Sequence, residues 1–64
     1  MSLDTTKTNN LYRVRYAHGT NEYADEIIAP TERHAAQIIT HFMHTNNWTT
    51  GKVLGVQLLE RAYS

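Results

Sequence analysis

Between Thr31 and His44 the chain reads TERHAAQIITHFMH, in which Ala35, Ile38, Ile39 and Phe42 recur at spacings of three and four. Residues so spaced share one stripe of an α-helix, and that stripe needs an apolar partner. His34, Gln37, His41 and His44 fall on the opposite face. Pro30 has no N–H for a strand ladder, Thr31 suits an N-cap and Glu32 suits the positive end of the helix dipole, so a helix is predicted from Glu32 to about His44. Asn46 and Asn47 are C-terminal breakers, and Trp48 to Lys52 reads as a loop turning at Gly51.

The segments on either side alternate instead. Leu11 to Ala17 places Tyr12, Val14 and Tyr16 on one face and Arg13 and Arg15 on the other, a half-buried strand. His18 to Asn21 is a turn in which Gly19 and Asn21 are both suited to positive φ, and a second strand follows from about Glu22 to Ala29. With Ile27 and Ala29 inward, strict alternation also sends Asp25 inward, so either Asp25 sits at an exposed end or a bulge near Ala24 resets the register. A last strand, Val53 to Glu60, is expected to show Leu54, Val56 and Leu58 on one face and Val53, Gly55, Gln57 and Leu59 on the other.

The order strand, strand, helix, strand predicts an α+β domain of ββαβ type: a three-stranded antiparallel sheet in the order 2-1-3, with one helix packed on one face. Tyr12, Val14, Tyr16, Ile27, Ala29, Ala35, Ile38, Ile39, Phe42, Leu54, Val56 and Leu58 form the expected core. Residues 1–10 (MSLDTTKTNN) are polar and without period and read as a flexible tail, leaving 11–64 as a single domain.

Composition narrows the function. The chain has 64 residues and no cysteine, so a disulfide framework and a thiolate metal cage are excluded and the core is small. Six basic and six acidic side chains cancel, which removes the long-range attraction behind non-specific nucleic-acid or anionic-membrane binding. No apolar run approaches the roughly 20 residues of a membrane span, and no secretory signal is evident, which suggests a cytoplasmic protein. The only serines are Ser2 and Ser64, and there is neither a paired-carboxylate pattern nor a Gly-rich phosphate loop, so no catalytic or cofactor residue is assigned. His41 and His44, three apart, could reach one ion, but a third ligand is not evident; a solvated polar face is the better expectation.

What remains is binding. The uncovered sheet face would show Arg13 and Arg15 beside Val53, Gln57 and Leu59, with Glu26 or Ile28 from the second strand, a mixture found at protein interfaces as well as on ordinary solvated surfaces. Trp48 either folds back over one end of the core or projects as an anchor. The last strand, Lys52 to Leu59, is long and apolar enough to invite an added strand. Arg13, Arg15, Gln57, Leu59 and Trp48 are therefore the candidate partner-binding residues. The alternatives are a homodimeric structural protein and a nucleic-acid accessory protein.

In layout, the hairpin LYRVRYAHGTNEYADE, the run IIAPTERHAAQIITHF and the closing GKVLGVQLLE resemble very small bacteriophage proteins that bind and inhibit host machinery, among them an inhibitor of bacterial RNA polymerase and several anti-CRISPR proteins. The resemblance spans residues 11 to 60 through the junction of Ile27, Ala29 and Thr31, the pair Ala35 and Ala36, and the closing strand. It implies a non-enzymatic protein that acts in the host cytoplasm by stoichiometric binding to a larger host protein or complex. No functional residue is carried over from it.

Overall fold

The structure, a computed structural model, describes residues 9–63. It contains β1 (Asn10–His18), β2 (Asn21–Ala29), α1 (Glu32–Thr45) and β3 (Lys52–Glu60). The strands form one antiparallel sheet in the order β2-β1-β3, with β1 central, as the sequence pattern predicts. Asn10 already belongs to β1; its side chain donates to the Tyr12 hydroxyl (3.0 Å) and accepts from the Ala62 amide (2.9 Å). The tail expected over residues 1–10 otherwise lies outside the described residues, apart from Asn9.

The hairpin is regular. His18 pairs with Asn21 across Gly19 and Thr20, and the register runs without a break to Asn10 and Ala29. Gly19 has φ 66 while neither Thr20 nor Asn21 has a positive φ, the combination of a type II′ turn, whose twist matches that of the strands it joins. Of the two residues suited to positive φ, only Gly19 uses it. There is no bulge at Ala24: Asp25 pairs with Val14 and stays on the helix side of the sheet, exposed.

β3 departs from strict alternation at two places. Arg15 is opposite Gly55 but Tyr16 is opposite Val53, so Leu54 is an extra residue; Leu59 is a second one between Leu58 and Glu60. Val53 rather than Leu54 therefore joins Val56 and Leu58 against the core, and Leu54 is exposed.

The helix starts as expected, with the Thr31 hydroxyl accepting from the His34 amide at 3.1 Å. Its end is a Schellman motif. Asn47 takes φ 63, its amide bonds to the His44 carbonyl (3.1 Å), and the Trp48 amide bonds to the Met43 carbonyl (2.7 Å). The buried stripe is Ala35, Ile39 and Met43, four apart. Ile38 and Phe42, expected in the core, are 36% and 41% exposed, whereas Met43 is 2% exposed. The reason lies in the loop: Gly51 lacks the Cβ that would overlap the Met43 sulfur, and that gap admits Met43 at the start of β3. Tyr12, Val14, Tyr16 and Ala29 complete the core, with Ile27, Trp48, Val53, Val56 and Leu58 packed at its margin.

Candidate functional site

The helix does not cover the sheet evenly. Met43 is held beside Gly51 and β3, while Phe42, on the opposite flank of the stripe, contacts Trp48, which in turn reaches Tyr23 on β2. The flank carrying Ile38 and Phe42 thus faces β2. On β2 only Ala29 is buried and only Ile27 half-buried, although Tyr23 and Asp25 lie on the helix side of the sheet. Tyr23, Asp25 and Ile27 on the helix side of β2, the exposed Ile38 and Phe42 on that flank of the helix, and Trp48, which meets both Tyr23 and Phe42, make up the thinly covered margin between helix and β2, called the trough below.

Trp48 is set there by the helix terminus. A Schellman turn brings the residue after the left-handed position back towards the last helical turn, and here the indole meets the Phe42 ring edge-on, with centroids 5.7 Å apart. Tyr23 lies 5.3 Å away at a tilt, and His18 stacks almost parallel on the indole at 4.5 Å. Tyr16, beneath, stacks on Tyr23 at 5.5 Å and meets Phe42 edge-on at 6.3 Å. These contacts make the aromatic end of the trough rigid while leaving Tyr23 37% exposed.

The trough's polar group is Asp25. It accepts a hydrogen bond from the Tyr16 hydroxyl, and no cation among the described residues pairs with it. Burial is the main reason that the Tyr16 phenol is pushed up to about 12; the bond to Asp25 and the charge of that carboxylate add to it.

The opposite face of the sheet is different in kind. Arg13 is opposite Gln57 and Arg15 opposite Gly55, so three of the candidate residues, Arg13, Arg15 and Gln57, share this face. Each arginine is already partnered, Arg13 with Glu26 (3.5 Å) and Arg15 with Glu22 (3.6 Å), and these exposed pairs balance the charge. Val53, expected on this face, lies on the helix side, and Leu59 is the half-buried extra residue of the second bulge. Trp48 is on the helix side, apart from the other four. Tyr23, Ile38 and Phe42 were not among the candidates, because the helical period places Ile38 and Phe42 in the buried stripe as readily as beside it.

The helix's outer surface carries a depression of about 310 Å³ lined by Gln37, Thr40, His41 and His44. Among the described residues no group of three or more His, Cys, Asp or Glu is placed to hold a metal ion, and no helix is long and apolar enough to cross a membrane. Comparison with protein-family models, with curated proteins and with solved structures finds no match for this chain.

Proposed function

We propose that this chain is a small, non-enzymatic binding module that acts by stoichiometric contact with a larger protein, as a phage-type inhibitor or regulator working in the host cytoplasm. The observation that carries the reading is the trough: Tyr23 and Phe42, each more than a third exposed, flank a half-buried Trp48, with the exposed Ile38 one helical turn from Phe42. Exposed aromatics held rigid beside aliphatics are the residue types that dominate binding hot spots, because they bury much area for little lost rotamer freedom. Trp48 is the anchor. Arg13, Arg15, Gln57 and Leu59 sit on or beside a sheet face whose arginines are satisfied within the domain, so they serve as the control surface. That self-pairing and the balance of six basic against six acidic side chains weigh against the nucleic-acid alternative.

The test is a nuclease-treated affinity capture from a lysate of the bacterial host, comparing the native chain with Ile38→Glu/Phe42→Glu and with Arg13→Ala/Arg15→Ala. One large protein complex held at moderate salt, released by the first pair and retained by the second, is the expected result. Release by the arginine pair alone would move the contact to the open sheet face. Recovery of the bait alone, or loss of all captured material on nuclease treatment, would overturn the reading.

A further inference from the structure

The two outer edges of the sheet are not equivalent. β3 is interrupted by the extra residues Leu54 and Leu59, and bulges twist an edge away from regular pairing. β2 pairs with β1 over nine residues without an irregularity, has no interior proline or lysine, and among the described residues no strand pairs with its outer side. The strand open to addition is therefore β2, not the last strand that the apolar pattern favours.

The backbone geometry of that edge follows from the hairpin. In a two-residue turn the flanking pair, His18 and Asn21, is hydrogen-bonded, and antiparallel pairs then alternate. Tyr23, Asp25 and Ile27 consequently spend their N–H and C=O groups on β1, while Glu22, Ala24, Glu26 and Ile28 turn theirs outward. An added strand that bonds to those outward groups would lay its alternate side chains over the trough, opposite Tyr23, Asp25 and Ile27.

We propose that β2 receives an extended segment of the partner protein as a fourth strand, and that the segment carries a Lys or Arg over Asp25 flanked two residues away on each side by apolar or aromatic residues. Charge selects the basic residue. Asp25 is the trough's one charged floor group and has no cationic partner among the described residues, whereas its neighbours on the same face, Tyr23 and Ile27, are apolar or aromatic and so are Ile38 and Phe42 on the helix. A second copy of this chain fits poorly, because its β2 strand carries no Lys or Arg to set over Asp25. The inference rests on the binding-module reading above and specifies its partner chemistry.

The probe is a displayed library of random peptides of about twelve residues, selected on the full chain and then measured individually by calorimetry. Two variants separate the contributions. Asp25→Asn keeps an acceptor for Tyr16 but removes the charge; Ala24→Pro deletes one outward donor on an edge strand, where proline is tolerated. Recovered peptides should share the spaced basic and apolar pattern, bind one to one, weaken about tenfold on Asp25→Asn and fail on Ala24→Pro, with both variants retaining the native circular dichroism. They should also protect the Ala24 and Glu26 amides from exchange.

Peptides recovered without a basic residue, affinities indifferent to both variants, or no enrichment over an empty support would each overturn the proposal. So would a sedimenting dimer that Ala24→Pro abolishes, since it assigns the edge to a second copy. A lysate partner released by Ile38→Glu/Phe42→Glu but indifferent to Asp25→Asn and Ala24→Pro would leave the binding function standing and remove strand addition alone. Pattern-bearing peptides in the absence of any lysate partner would do the reverse.

Discussion

The Tyr16 hydroxyl donates to Asp25, its diagonal neighbour across the β1–β2 pair, and this bond joins the buried core to the floor of the trough. Burial, the bond and the adjacent carboxylate all favour the neutral phenol, raising its pKa from 10.0 to about 12 in the folded state. A folded-state value above the unfolded one gives stability that is complete below pH 10.0 and is lost as the pH rises to about 12. The loss should be read as a fall in the urea midpoint across that window. Tyr16→Phe should cost about 1 kcal/mol at neutral pH and flatten the alkaline fall. An equally steep fall in the variant would assign it to other groups.

Phe42 and Met43 are adjacent in sequence but differ sharply in burial, at 41% and 2% exposed. Met43→Ala should cost about 2 to 4 kcal/mol, in the range for emptying a buried site, whereas Phe42→Ala should cost no more than about 1 to 2. Equilibrium denaturation of the two variants decides the point. A larger cost at Phe42 would mean that the helix is rolled towards the other flank.

Asn47 holds the left-handed position that returns the chain to place Trp48. Asn47→Gly relieves the strain of that position and should be neutral or slightly stabilising; Asn47→Val should lose about 1 to 2 kcal/mol. The valine variant should also shift Trp48 emission to longer wavelength, since the indole loses its seat against Phe42. An unchanged emission spectrum would show that the turn does not position the ring.

Gly51 is required for space rather than for its backbone angle. A Cβ there would overlap the Met43 sulfur and lie 3.1 Å from the Trp48 carbonyl oxygen. Gly51→Ala should therefore destabilise by about 1 to 3 kcal/mol as an overpacked site. Combined with Met43→Ala, the cost should be clearly less than additive, because the two changes meet at one contact. Strict additivity would place the strain elsewhere.

Much of this architecture is legible in the chain without coordinates. Clean alternation from Tyr12 to Tyr16, the stop at Pro30, the Thr31 cap and the breakers Asn46 and Asn47 each follow from local physics: side-chain period, a missing donor, a hydroxyl acceptor, tolerance of positive φ. Those signals determine the elements, and with the sheet order they determine that β1 lies in the centre.

Two matters were decided only by tertiary packing, and both bear on the site. From Val53 to Leu59 the chain is apolar at odd and even positions alike, so alternation could not choose a register; pairing with β1 made Leu54 and Leu59 extra residues and broke that edge. Ile38, Ile39, Phe42 and Met43 span more than one helical stripe, so the period could not choose the roll of the helix. A gap the size of one methyl group at Gly51 admitted Met43, turned Phe42 towards β2 and left Ile38, Phe42, Tyr23 and Asp25 around an open edge. Local sequence determines which elements form because their signals are short-range; the exposed surface depends on which of two nearly equivalent apolar stripes finds room, and that is settled by residues distant in the chain.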